Sequence, residues 1–146
     1  MLYFDTSFLA PLILEEATSA AVERFLSALP VSALAVSHWT RVEFASLLAR
    51  EVRMGGLERA SAGNAATQFE AIVKESFRIL LPGAADFNLA RAYLGQHETG
   101  LRAGDALHLA IAKNHGAEAL YSFDKTLLRA GKLLGLPVGT GIETPG

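Results

Sequence analysis

Four carboxylates stand out by where they fall: Asp5, Glu43, Asp105 and Asp124. Asp5 ends the apolar run Leu2-Tyr3-Phe4, and Asp124 follows Ala119-Leu120-Tyr121-Ser122-Phe123. Such runs read as buried strands of a parallel sheet. In open α/β sheets the ligand crevice lies beyond the carboxyl ends of the strands, where both acids sit. Glu43 lies in the first turns of a helical stretch after Leu34-Ala35-Val36, and Asp105 opens an almost wholly apolar helix. All four can therefore face one edge of a sheet. Carboxylates gathered there would repel, raise one another's pKa and oppose folding. A divalent cation resolves this, and an all-oxygen donor set suits Mg²⁺ or Mn²⁺ rather than zinc. Water on such an ion is acidic enough to attack phosphorus, and the ion stabilises the charged transition state. Thr6, Ser7 and Ser122 can hold waters or orient the carboxylates.

Each acid also has an ordinary explanation. Asp5 and Asp124 can cap the helices that follow them. Thr40-Arg41-Val42-Glu43 fits a capping box, which would spend Glu43 on backbone donors. Asp105 complements a helix dipole, and Thr6 suits turn chemistry. Capping leaves one thing unexplained: an acid at the start of so apolar a helix sits near the core. A buried lone carboxylate is costly unless it is balanced or protonated.

The elements that must place these residues can be read from periodicity. Apolar runs at 2–4, 34–36, 77–81 and 119–123 are expected strands, and 137–141 a short edge strand. Helices are expected over 8–14, 17–29, 41–54, 57–76, 84–97, 105–114 and 125–134. Thr18 is the expected N-cap of the second and Pro30 its stop. Gly55-Gly56 divides a helical hairpin. Gly135 closes the last helix, and residues 143–146 are expected to fray. Strands alternating with helices give a three-layer α/β domain.

Composition narrows the possibilities. With 51% apolar residues the chain can fold without disulfides, and its lack of cysteine excludes thiol catalysis and Cys-ligated zinc. The first residues lack the pattern of a secretory signal, and no apolar run approaches the ~20 residues of a membrane span. A soluble cytoplasmic protein is expected. The net charge of −2 argues against bulk electrostatic attachment to nucleic acid but leaves room for a local basic rim.

Asp5-Thr6-Ser7, Glu43, Gly104-Asp105-Ala106-Leu107-His108-Leu109-Ala110 and Tyr121-Ser122-Phe123-Asp124 together resemble the PIN domain. Within it they are most similar to the VapC-type toxin ribonucleases of type II toxin–antitoxin systems. The resemblance spans the whole chain. Each piece alone is weak; their order and spacing are specific. It implies one PIN-like domain over 1–146, a three-layer α/β/α fold with a central parallel sheet of four to five strands. It implies a Mg²⁺-dependent endoribonuclease, with Mn²⁺ the other candidate ion. Its three core acids carry onto Asp5, Glu43 and Asp105, its less uniform fourth onto Asp124, and its Thr/Ser onto Ser122. Phe123 departs from the family, where many members have a polar or basic residue, and this bears on substrate fit. The resemblance further implies an RNA substrate and a cognate antitoxin whose C-terminal segment covers the cleft. An arginine there would pair with the acids. A homodimer formed through the helices between the second and third strands, or near the N-terminus, is also implied.

Other residues carry weaker signals. His108, one turn from Asp105, is read as a hydrogen-bonded core histidine, with a place on the site's face as the other reading. His38, His97 and His115 lack zinc-type spacing. Arg41, Arg50, Arg53, Arg102, Lys125, Arg129 and Lys132 form either a discontinuous basic rim or solvated helix faces. Trp39 and Phe44 either stack a base or pack internally. No serine lies in a nucleophile elbow, and no glycine-rich phosphate loop is present. Two rival functions stay open. One is an interaction module whose acidic cleft docks a basic peptide without catalysis. The other is a phosphatase, which would need a second Asp where Ser7 stands.

Overall fold

The computed structural model describes residues 1–144. Five short strands form one parallel sheet: β1 Leu2–Phe4, β2 Leu34–Ser37, β3 Arg78–Leu80, β4 Ala119–Tyr121 and β5 Val138–Gly139. Their order is β3-β2-β1-β4-β5. Helices α1 Thr6–Leu9, α2 Ser19–Ser27, α3 His38–Arg53 and α4 Arg59–Ser76 connect β1, β2 and β3. The chain then returns past β1 through α5 Ala84–Leu94 and α6 Ala103–Asn114 to β4, and α7 Lys125–Leu133 leads to β5. The winding therefore reverses at β1, and the switch point lies between β1 and β4. Crevices in such sheets form there. Among the described residues no helix is long and apolar enough to cross a membrane.

The three expected layers are present because successive strand residues face opposite sides. Tyr3, Ala35 and Leu120 bury on one face under α6, with Leu109, Ala110 and Ile111. Phe4, Leu34 and Val36 bury on the other with Phe8, Val22, Phe44 and Phe69. Phe4, Phe8, Phe25, Tyr121 and Phe123 form an aromatic cluster under the first connection. Phe44 stacks on Phe69 with ring centroids 4.0 Å apart and ties α3 to α4. That settles Phe44 as core packing, not a base platform.

Several boundaries differ from expectation, for identifiable reasons. The first helix is not 8–14: α1 starts at Thr6 and passes into a 3₁₀ turn at Ala10–Leu12, with Pro11 where its missing N–H is not needed. Thr18 is the N-cap of α2 as expected, but its side chain makes no capping hydrogen bond; just ahead of the helix Ser19 Oγ accepts from Glu16 N at 2.9 Å. Helix α3 begins at His38, not Arg41. Ser37 caps it, accepting from Thr40 N at 3.4 Å while Thr40 Oγ1 accepts from Ser37 N at 3.2 Å. The capping box is thus Ser37 with Thr40, and Glu43 has no capping duty. Helix α5 stops at Leu94, three residues early, and α6 starts at Ala103, so Gly104 and Asp105 lie inside its first turn. Strand β4 ends at Tyr121, leaving Ser122 and Phe123 in the loop. Gly135 takes the expected left-handed conformation after α7 (φ 74°). Of the tail expected to fray, Glu143 and Thr144 are exposed, and Pro145 and Gly146 lie outside the described residues.

Candidate metal centre at the carboxyl edge of the sheet

Asp5 is fixed first by backbone. Its N–H donates to Tyr121 O at 3.0 Å, which carries the β1–β4 pairing one residue past the strand. Although Asp5 precedes α1, its side chain makes no capping hydrogen bond. Its Oδ2 instead accepts from Ser7 Oγ and Ser122 Oγ, both at 2.6 Å. Those hydroxyls are held in turn by Phe123 N, which donates to Ser7 at 2.9 Å, and Asp124 N, which donates to Ser122 at 3.0 Å. The β4 loop is therefore folded around the Asp5 carboxylate.

Glu43 reaches the same place from the second turn of α3. Its Oε1 accepts from Thr6 Oγ1 at 2.7 Å and from His108 Nε2. Its Oε2 faces Gly104, where an added Cβ would lie 2.8 Å away. Burial opposes the charge on Glu43, but the hydrogen bond and charge of His108, with Thr6 and Trp39, lower its pKa overall. The Trp39 indole N–H is buried with no hydrogen-bond partner among the described residues. It lies beside Glu43 Oε2 at Gly104, outside hydrogen-bonding geometry.

His108 is completely buried on α6. Its Nε2 lies 3.4 Å from Asp5 Oδ1 as well as bonding Glu43. Its Nδ1 pairs with Tyr3 Oη at 2.7 Å, and Tyr3 Oη with Ser37 Oγ at 2.8 Å. Burial resists the imidazolium, but Tyr3, Glu43 and Asp5 outweigh that and hold the ring well above the ordinary histidine pKa. Both readings of His108 thus hold together: it is a satisfied core histidine, and it touches the site.

Asp105 and Asp124 complete one cleft of about 450 Å³ lined by the four expected acids, by Glu51, which the sequence did not single out, and by Thr6 and Ser7. Burial and the charges of Asp124, Asp5 and Glu43 push Asp105 up to about 7, against the pull of His108. The sequence required this acid to be balanced or protonated, and it is partly both. Asp124 caps α7, accepting from Leu127 N at 3.0 Å, so its ordinary reading stands alongside its place in the cleft.

The donors of Asp5, Glu43 and His108 lie within 4.8 Å of one another. Both His108 nitrogens are already engaged, so what remains for a cation is carboxylate oxygen. The carboxyl groups of Asp5, Glu43, Glu51, Asp105 and Asp124 outnumber the Arg50 guanidinium and the His108 ring, so the cleft is net negative even with Asp105 partly protonated. This hard, anionic set fits Mg²⁺ or Mn²⁺.

The basic residues separate on inspection. Arg41 is held by Glu70 at 3.0 and 3.1 Å and by His38 at 2.9 Å, so it is not part of a rim. Arg50 lines the cleft from α3, and Arg102 lines an adjoining hollow shared with Glu43, Asp105 and Asp124. Neither forms an ion pair among the described residues. Lys125, Arg129 and Lys132 line a separate hollow on α7. Sequence reading missed Tyr3 and Ser37. The available signal was a tyrosine inside a buried strand, whose hydroxyl must find a partner.

The family model for the PIN domain matches residues 2–133. The chain belongs to the PIN domain family. No curated protein gives a significant match. Three of the solved structures to which this PIN domain protein is similar in fold illustrate the likeness. One is *Mycobacterium tuberculosis* VapC20, described as a sarcin–ricin loop cleaving toxin, with 24% identity and a TM-score of 0.69 over 90% of this chain and 95% of that one. Another is FitAcB from *Neisseria gonorrhoeae*, with 20% identity and a TM-score of 0.68 over 97% and 98%. A third is VapBC-1 from nontypeable *Haemophilus influenzae*, with 16% identity and a TM-score of 0.64 over 97% and 98%.

Proposed function

We propose that this protein is a Mg²⁺- or Mn²⁺-dependent endoribonuclease, the toxin of a toxin–antitoxin pair. One observation carries the reading: four carboxylates from four separate segments line one cleft at the switch point of the sheet. Asp5, Glu43, Asp105 and Asp124 would hold the ion. When bound, it supplies Lewis acidity toward a phosphodiester and lowers the pKa of water. The protein's own part is positional. Ser7 and Ser122 orient Asp5; Thr6 and His108 orient Glu43. His108 has no nitrogen free to act as general base. Arg50 and Arg102 stand where substrate phosphates would pass.

The fold likeness to VapC20, FitAcB and VapBC-1 supports the toxin reading, and with it a site of action in the cytoplasm. The partner is an antitoxin whose basic segment enters the acidic cleft. The homodimer forms through the α3–α4 hairpin, where Val42 and Met54 are exposed.

The test is incubation with total RNA in Mn²⁺ or EDTA. Cleavage is expected with Mn²⁺ and not with EDTA. Asp5→Asn and Asp105→Asn are expected to abolish it while the far-ultraviolet circular dichroism spectrum is kept. Full activity in either folded variant overturns the assignment. Absence of both cleavage and Mn²⁺ binding favours the peptide-docking module instead.

A further inference from the structure

We propose that Tyr3 and His108 are positioning residues: a buried chain from Ser37 through both holds Glu43 Oε1 and so leaves Oε2 toward Gly104, beside the hollow that Glu43 shares with Asp105 and Asp124. The inference rests on the metal-site reading above.

The chain is continuous. Ser37 Oγ lies 2.8 Å from Tyr3 Oη, and Tyr3 Oη lies 2.7 Å from His108 Nδ1. His108 Nε2 then bonds Glu43 Oε1. Tyr3, Ser37 and His108 are each fully buried. At its near end Ser37 is held by the first turn of α3, the helix that carries Glu43. The network therefore closes a loop through β1, β2, α3 and α6.

The core does not need these polar groups. The neighbours of His108 on α6 are Ala106, Leu107, Leu109, Ala110 and Ile111, all buried. Phenylalanine at 3 and leucine at 108 would fill similar space with no polar atom to satisfy, and buried polar groups are costly unless fully paired. What the chain adds appears at its far end. Glutamate is a long, flexible side chain. Here Oε1 is claimed by two donors, Thr6 and His108, which leaves Oε2 against Gly104. The same imidazole lies 3.4 Å from Asp5 Oδ1. One rigid ring thus sets the spacing of Asp5 and Glu43, and Tyr3 sets the ring. Outer partners of this kind commonly change metal affinity by about 10- to 100-fold.

The experiment titrates Mn²⁺ into metal-free protein by calorimetry, for wild type, Tyr3→Phe, His108→Gln and His108→Leu, each checked for fold by circular dichroism. Tyr3→Phe keeps the ring and all formal charge. It is expected to weaken Mn²⁺ about fivefold, the size of one hydrogen bond. Gln and Leu both remove the imidazole, so their difference isolates the donor to Glu43. Gln is expected to bind Mn²⁺ about tenfold more tightly than Leu. Wild-type affinity in folded Tyr3→Phe, with Gln equal to Leu, overturns the proposal and leaves the chain as core packing. If the Leu variant does not fold, Tyr3→Phe alone decides. A wild type that binds no Mn²⁺ overturns the metal reading itself, which is a different result from variants that all bind equally.

Discussion

An alanine at position 104 carries its methyl into the space between Glu43 and Trp39. The added carbon would sit 2.8 Å from Glu43 Oε2, 3.3 Å from Trp39 Cζ2 and 3.5 Å from Trp39 Nε1. Ordinary contact lies near roughly 3.5 Å, so the carboxylate must recede by about half an ångström or more. It cannot swing away freely, because Oε1 is held by Thr6 and His108. Functional constellations tolerate about 0.5 Å of displacement, and a misplacement of about 1 Å can cost on the order of a hundredfold in rate. Gly104→Ala is therefore expected to lower Mn²⁺ affinity and RNA cleavage by about tenfold. Stability should move differently. Alanine is favoured over glycine in a helix by up to ~1 kcal/mol, which roughly offsets the crowding. The unfolding midpoint in EDTA should stay within about 4 °C of wild type. Calorimetric Mn²⁺ titration, initial cleavage rates and thermal unfolding measure the three quantities. Wild-type binding and cleavage in a folded Gly104→Ala protein would refute the placement of Oε2 at the working face of the site.

Two further expectations concern protons and phosphates. Asp105 is raised to about 7 in the folded, metal-free protein, against ~3.9 unfolded. Between those values the folded state holds a proton the unfolded chain has lost, so stability falls as pH rises through that window. His108, also raised, adds a loss of the same sign as pH climbs through its folded value. Glu43 is lowered; its contribution is already complete above its unfolded value near ~4.3 and adds no slope from pH 5 upward. Thermal unfolding in EDTA from pH 5 to 8 should show the decline, Mn²⁺ should reduce it, and Asp105→Asn should lessen it to the part due to His108; an equal slope in that variant contradicts the assignment. Arg50→Gln and Arg102→Gln should each raise KM for RNA several-fold while changing kcat and Mn²⁺ affinity much less. They should also reduce the salt dependence of binding, since each removes a phosphate contact; an unchanged KM in both removes these arginines from the substrate path.

The fold was largely legible because its strands and helices declare themselves by burial pattern. Leu34-Ala35-Val36 is apolar on both faces, and only a strand covered by helices on each side asks for that. The helix ends were harder, because caps depend on side-chain geometry. Thr40 and Glu43 have capping-box spacing, yet Ser37, one residue past the predicted strand, takes the cap. Asp5 precedes a helix and does not cap it; Asp124 precedes one and does. Sequence spacing cannot separate those two cases, since what decides them is whether Ser7 and Ser122 reach the carboxylate first. The basic rim was illegible for the same reason. Arg41 and Arg50 lie on one helix, and only the neighbouring Glu70 on α4 takes the first out of play.

The polar breaks in otherwise apolar segments gather at one place in the molecule. A tyrosine in a buried strand, a histidine within Ala106–Ala112 and an acid at the mouth of that same helix each break the apolar pattern around them. Taken separately, each has a mild explanation. In space they are consecutive: Tyr3 touches His108, His108 touches Glu43 and Asp5, and Asp105 is raised by the charges of both acids. Natural sequences agree with themselves across levels except where function requires a local cost. A run of violations that becomes one contiguous network on folding is therefore better evidence for a site than any of its members. The network also has a direction, from uncharged hydroxyls deep in the core to unneutralised carboxylates at the surface of the cleft. The excess negative charge lies at its open end, where a cation could enter.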